Sequence, residues 1–208
     1  MTIIYLATSN PGKVREFREA AQALSLVLEP LPGFSTLTPA VEDGDTFEQN
    51  ARIKAEYYSR FAPGKLVLAE DSGLSVDALN GAPGVYSARY AAMLQSGSTG
   101  HENSSDQANN LALITQLERL PRQHFAGKYV CVIALAQDGK TLATFTGEAH
   151  GELRTFPQGT GGFGYDPLFY FPELNKTFAE LPLEQKRQYS HRGQAFRSFL
   201  AWFKQQPV

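Results

Sequence analysis

The stretch Val67-Leu68-Ala69-Glu70-Asp71-Ser72-Gly73-Leu74 decides how the chain is read. Three apolar residues read as a buried strand and run straight into two carboxylates, a hydroxyl and a glycine, a step from core to cleft within two residues. Open α/β sheets place their chemistry at such strand ends. Neighbouring side chains on an extended segment point to opposite faces, so Glu70 and Asp71 cannot both leave water without a partner, and one of them wants a cation. The same residues also read as a strand ending in an acidic turn; what separates the two readings lies elsewhere in the chain.

Before this stretch, residues 3–7 read as a first strand, followed by Thr8-Ser9-Asn10-Pro11-Gly12-Lys13 and an amphipathic helix with Val14, Phe17, Ala21 and Leu24 on one face. Asn10 is a natural N-cap and Pro11 fits the first helical position. A loop of hydroxyls, amide and lysine at a helix N-terminus offers N–H groups and a dipole to an anion, a phosphate cradle by physics, although the same residues also read as an ordinary capped helix start. It is not a Walker loop, because residue 7 is alanine. Residues 26–28 read as a second strand and 30–39 as a turn-rich connection. Val41-Glu42-Asp43-Gly44-Asp45 is an acidic loop, and Thr46-Phe47-Glu48-Gln49 is a capping-box pattern opening a helix to about Arg60. Asn50 and Lys54, four apart, share a face of that helix, on which Lys54 either looks into the cleft or lies in solvent.

After the acidic stretch, residues 76–90 read as a short helix, a Gly-Pro loop and a segment around Tyr86 to Arg89, and 95–105, rich in Gly and Ser, as a mobile loop or insertion containing His101. Residues 106–120 return to helical spacing with Leu111, Ile114 and Leu117. Residues 129–136 and 141–147 are β-rich runs joined at Asp138-Gly139, a hairpin signal. Gly159-Thr160-Gly161-Gly162-Phe163-Gly164 fits G-x-G-x-x-G, but the aromatic, proline-broken segment that follows excludes a dinucleotide fold. Glycines around Phe163 and Tyr165, with Asp166 behind, suit either a loop on which a planar ring stacks or a turn with core aromatics. Residues 183–189 and 193–205 read as helices, the second with a stripe of Phe196, Phe199, Leu200 and Phe203. Between them, Ser190-His191-Arg192-Gly193 offers donors to an acidic or carbonyl-bearing ligand, with Lys186 nearby, or a surface pair.

Composition limits the choices. The chain of 208 residues suffices for one large domain, or one domain with two lobes. The single cysteine, Cys131, sits in an apolar run and reads as a core residue rather than a nucleophile. No apolar run approaches a membrane span, and the start lacks a basic leader, so a soluble, cytoplasmic protein is expected, with no membrane partner. Net charge is −2 with scattered basic residues, which argues against nucleic acid as a partner. Absence of His-x-x-x-His and Cys-x-x-Cys spacing argues against zinc.

Six blocks in order give the chain a resemblance to the XTP/dITP pyrophosphatase family, the inosine triphosphate pyrophosphatases. They are residues 8–13, 46–51 with Lys54-Ala55, 70–74, 84–90, 161–167 and 190–193. Glu70 stands where many members carry Asp, which keeps the charge and alters its reach. The resemblance implies a single α/β domain over 1–208 with a mixed, elongated central sheet flanked by helices and two lobes with the active site in the cleft between them. It implies Mg²⁺-dependent hydrolysis of a non-standard purine nucleoside triphosphate (ITP, dITP or XTP) to monophosphate and pyrophosphate, by a homodimer. Glu42 and Asp71 would hold Mg²⁺, and Asp71 would accept a proton from the attacking water. Thr8, Ser9, Asn10, Pro11, Gly12, Lys13 and Ser72 would hold the triphosphate; Phe163, Gly164, Tyr165, Asp166, Lys186, His191 and Arg192 would hold base and sugar. Two alternatives remain: a related pyrophosphatase for modified pyrimidine triphosphates, and a nucleotide-binding regulatory module without turnover.

Overall fold

Thr2–Leu6 forms β1, in which Ile4 and Leu6 are fully buried while Ile3 faces outward, the period-two pattern of an extended chain. The computed structural model describes residues 2–8, 10–21, 26–96, 102–121 and 124–206. Helix α1, Pro11–Ala21, buries Phe17 and Ala21; Leu24, expected on the same face, lies outside the described residues. Strand β2, Leu26–Pro30, runs parallel to β1.

Helix α2, Phe47–Ser59, starts at Thr46, whose hydroxyl accepts from the Gln49 N–H. Gln49 Oε1 accepts from Asp45 N–H, so the amide reaches one residue further back than the capping-box pattern implies.

Strand β3, Leu66–Val76, does not stop at the acidic pair: it continues through Glu70 and Asp71 for eleven residues in all. Extended backbone survives there because both carboxylates are met by cations, which removes the need for a turn into water. It pairs parallel with β1, Leu6 opposite Leu68. Short 3₁₀ turns at Asp77–Leu79 and Gly84–Arg89 lead into α3, Tyr90–Ser96. Residues 95 and 96, expected in a loop, therefore finish a helix; residues 97–101, His101 included, lie outside the described residues.

In α4, Asp106–Glu118, Leu111 is 64% exposed and the buried ridge is Asn109, Leu113 and Leu117. Asn109 enters it because its side chain accepts from Ala91 N–H and donates to Ala88 O, holding the start of α3. Strands β4, Phe125–Gln137, and β5, Lys140–Leu153, flank Asp138 and Gly139, whose φ angles of 50° and 80° are those of a type I′ turn. Strands β6, Phe169–Phe171, and β7, Lys176–Thr177, precede α5, Leu183–Tyr189, and α6, His191–Phe203. Helix α6 starts two residues before the predicted Gly193 because the Ser190 hydroxyl caps it.

Among the described residues the sheet is mixed, with seven strands in the order β2-β1-β3-β4-β5-β6-β7. The chain forms two compact units, one of Met1–Asp71, Cys131–Gly147 and Tyr189–Val208, the other of Ser72–Val130 and Glu148–Gln188. In the first, Ile4, Leu6, Phe17, Leu68, Ile133, Leu135, Phe196 and Phe199 share one core, each large side chain worth about 1.5–3 kcal/mol on burial. In the second, Tyr129, Phe169 and Phe178 form an aromatic cluster with centroids 4.7–5.9 Å apart. Among the described residues no helix is long and apolar enough to cross a membrane.

Candidate active site

In the first unit the pleat of β3 separates its two adjacent carboxylates. Glu70 is ion-paired with Lys13 of α1, accepts from the Cys131 thiol of β4 at 3.2 Å, and lies 3.6 Å from Arg192 Nε of α6. Burial alone would raise this carboxyl, but Lys13 and Arg192 outweigh it and hold Glu70 well below the usual carboxylate range. Arg192 also donates to Glu16 of α1 at 2.7 Å; burial is overcome by Glu70 and Glu16, which keep the guanidinium charged. Cys131 is fully buried, and burial followed by the charge of Glu70 pushes its thiol well up, so it is no nucleophile.

Asp71 meets a different cation. Lys54 Nζ of α2 donates to Asp71 Oδ1 and to Glu42 Oε2, each at 2.7 Å. Burial raises the Asp71 carboxyl and the charge of Glu42 adds to it, while Lys54 offsets only part. For Lys54 burial acts downward, but Asp71 and Glu42 together hold the ammonium above the ordinary lysine value. The loop carrying Glu42 is fastened one turn earlier on α2: Asn50 Oδ1 accepts from Gly44 N–H at 2.9 Å and Nδ2 donates to Gly44 O at 3.3 Å. Gly44 permits this approach, since a Cβ there would lie 2.8 Å from Asn50 Oδ1.

The N–H groups at the start of α1, which the sequence offers to an anion, are not free in the structure. Asn10 Oδ1 accepts from Gly12 N–H at 2.9 Å and Lys13 N–H at 3.2 Å, and Thr8 Oγ1 accepts from Asn10 N–H at 3.2 Å. Pro11 has no N–H to offer. An anion here would take over donors that the side-chain cap now satisfies. Ser9 lies outside the described residues. His191 and Arg192, readable from sequence as a surface pair, are both buried. Gly147 of β5 makes room for them: a Cβ there would strike His191 O and come within 2.5 Å of Ala195 N.

In the second unit Asp166 organises the glycine-rich loop. Its Oδ2 accepts from Phe163 N–H at 2.8 Å and from Lys186 Nζ at 2.6 Å, and that ammonium lies 4.7 Å from the Phe163 ring centroid. Asp106 Oδ2 accepts from Gly164 N–H and Asn110 donates to Gly164 O, so α4 holds the loop from the other side. Tyr165 is a core residue, its hydroxyl donating to Ser87 O at 2.8 Å. Phe163 stays half-buried, and Ser72 is half-buried on β3.

The first unit thus joins Lys13, Glu70 and Arg192 in one charge network and Glu42, Lys54 and Asp71 in another. The second joins Phe163, Asp166 and Lys186. Glu16, Asp106 and Asn110 are not among the residues the sequence points to. For Glu16 the available signal is its place beside Phe17, where a charged residue on the inner side of a helix requires a buried partner. Among the described residues no group of three or more His, Cys, Asp and Glu side chains could hold a metal. Glu42 and Asp71 nonetheless direct two carboxylate oxygens at one cation, a donor set that suits Mg²⁺, which takes one or two carboxylates plus phosphate oxygens and waters.

Residues 4–202 match the sequence model of the Ham1 family. A dITP/XTP pyrophosphatase of Acidobacterium capsulatum is 51% identical over 198 residues, covering 95% of this chain and 96% of that protein. One of Geobacter sulfurreducens is 45% identical over 205 residues, covering 97% and 98%. Of solved structures, a HAM1 protein from Coxiella burnetii matches with a TM-score of 0.83 and 36% identity, over 99% of this chain and 100% of that one. The Staphylococcus aureus Ham1 protein matches at 0.79 and 38%, over 98% of each.

Proposed function

Since the chain belongs to the Ham1 family, we propose that it is a Mg²⁺-dependent pyrophosphatase of non-standard purine nucleoside triphosphates. It converts dITP, ITP and XTP to the monophosphate and pyrophosphate, as a cytoplasmic homodimer. The names of its relatives support the substrate class. The observation that carries the chemistry is the Glu42 and Asp71 pair directed at one cation, with Asp71 shifted toward the pH at which a general base works.

Asp71 accepts the proton of the attacking water, and Glu42 and Asp71 hold Mg²⁺, which when bound neutralises charge on the phosphates. Thr8, Ser9, Asn10, Pro11, Gly12 and Lys13, with the Ser72 hydroxyl, bind the triphosphate; Lys13 does so by exchanging Glu70 for a phosphate oxygen. Phe163 stacks on the base with Lys186 and Asp166 behind it, and Gly164 and Tyr165 shape the loop. His191 and Arg192 donate toward the base, with Glu16 fixing the guanidinium. Fixed donors accept a 6-oxo group and leave the 6-amino group of adenine facing another donor, a mismatch of about 1–3 kcal/mol per contact.

Pyrophosphate release from dITP, ITP, XTP, GTP, ATP and dUTP, with and without Mg²⁺, tests this reading. We expect Mg²⁺-dependent turnover with dITP, ITP and XTP far ahead of ATP, and a smaller ratio of ITP to ATP in Arg192→Ala and His191→Ala. Equal ITP and ATP values in the parent protein refute the selectivity, preference for dUTP selects the pyrimidine alternative, and binding without turnover selects the regulatory module.

A further inference from the structure

The Lys54 ammonium stands where a metal held by Glu42 and Asp71 would stand. It is 2.7 Å from an oxygen of each, and the side chains of Lys54 and Asp71 are only 12% exposed. Mg²⁺ drawn to the same two oxygens at about 2.0–2.1 Å would lie against the ammonium, and two positive charges so close in so enclosed a site repel strongly. Taking the metal therefore means moving Lys54, and an ammonium displaced from a site this enclosed needs another acceptor in place of the two carboxylates. A triphosphate supplies one. Its oxygens replace the carboxylates as partners of Lys54 at the moment the metal replaces Lys54 as partner of the carboxylates, and every charge stays compensated. Local structure permits the exchange: Lys54 is reached through a flexible four-carbon stem from α2, whose backbone is held independently by the Thr46 cap and the Asn50–Gly44 bonds.

We propose that Lys54 is the resident counter-ion of the Glu42–Asp71 pair in the ligand-free protein and a built-in competitor of the metal, so that metal binds in company with a triphosphate and poorly without one. The proposal rests on the pyrophosphatase reading for the identity of the triphosphate, but its metal half concerns only these three side chains. Reciprocity then requires that the metal raise nucleotide affinity by the same factor as the nucleotide raises metal affinity.

Mn²⁺ as an EPR probe of free metal tests this without turnover. Titrations would compare the full chain with Lys54→Met, Lys54→Gln and Lys54→Arg, each alone and with an α,β-imido analogue of dITP, after circular dichroism has confirmed folding. We expect the neutral variants to bind Mn²⁺ about 10-fold tighter than the parent in the absence of nucleotide, Lys54→Arg to stay as weak as the parent, and Asp71→Asn added to Lys54→Met to abolish the gain. With the analogue present, the advantage of the neutral variants should disappear. Neutral variants that bind free Mn²⁺ no tighter than the parent overturn the proposal, as does a gain that survives Asp71→Asn. If the parent hydrolyses dITP while the neutral variants show no gain, only this inference fails. If the parent lacks turnover while the neutral variants do show the gain in Mn²⁺ affinity, the pyrophosphatase reading fails and the competition stands.

Discussion

Glu70 and Asp71 are adjacent on β3, yet their carboxyls are pushed in opposite directions: burial raises both, but at Glu70 Lys13 and Arg192 outweigh it, whereas at Asp71 Lys54 offsets only part of it and the charge of Glu42 adds to it. Glu70 meets Lys13 and Arg192 and is suited to holding charges in place; Asp71 shares one lysine with a second carboxylate and is suited to trading protons. Asp71→Asn is therefore expected to lose turnover by ~10²-fold or more while melting close to the parent, as Lys54 keeps Glu42; near-parent turnover in the purified variant would refute the assignment. Lys13→Ala should weaken every purine triphosphate about equally, and a change in base preference alone would argue against a phosphate contact. Cys131 offers a check on burial: a thiol pushed upward carries less thiolate at any pH, so iodoacetamide should label the folded protein far more slowly than the urea-unfolded chain at pH 8. At this scale the sequence is a good guide to residue type and a poor guide to pairing. Cys131 reads as core from its apolar neighbours alone, whereas nothing local tells that Arg192 bonds a glutamate 176 residues away.

Elements owe their boundaries to short-range chemistry, and most of these were legible. Asn10 with Pro11, Thr46 three before Gln49 and Asp138-Gly139 all act where their types suggest, because caps and tight turns are settled within four residues. Thr46→Ala should lower stability by about 1 kcal/mol, read from urea unfolding. The misread elements are those in which long-range partners overrule the local pattern: β3 runs on through its acidic pair because cations from α1, α2 and α6 compensate it, and α4 turns Leu111 outward because Asn109 is needed inside. Gly147 shows the same dependence on distant packing. Gly147→Ala would press on the backbone at the start of α6, and we expect a loss of about 1–3 kcal/mol together with weaker nucleotide binding, since His191 and Arg192 ride on that turn. Binding and stability equal to the parent would show that α6 can shift at no cost.

For the whole molecule, the proposed homodimer has a direct check: light scattering at micromolar concentration should give twice the chain's mass, and a monomer would remove it. The α/β class follows from alternating strand and helix patterns, because hydrophobic period reflects only the geometry of the local backbone, whereas β6 and β7 of the mixed sheet lie where the sequence offers only an aromatic, proline-broken segment and a stretch without strand pattern. Six short blocks likewise point to the family before any contact is known, since together they set caps, glycines and charges in a fixed order. What those patterns cannot contain is the assignment of partners. Whether Lys54 faces Asp71, 17 residues on, and Glu42, 12 back, or whether Lys186 reaches Asp166 rather than solvent, depends on which elements fold against which. Charges attract across any separation in sequence, and burial selects among them by making an unpaired one too costly to keep. The sequence by itself thus determined most of the elements, the class and the residue types of the site; the tertiary structure decided which carboxylate each cation serves, and through that which of two neighbouring acids is poised for chemistry.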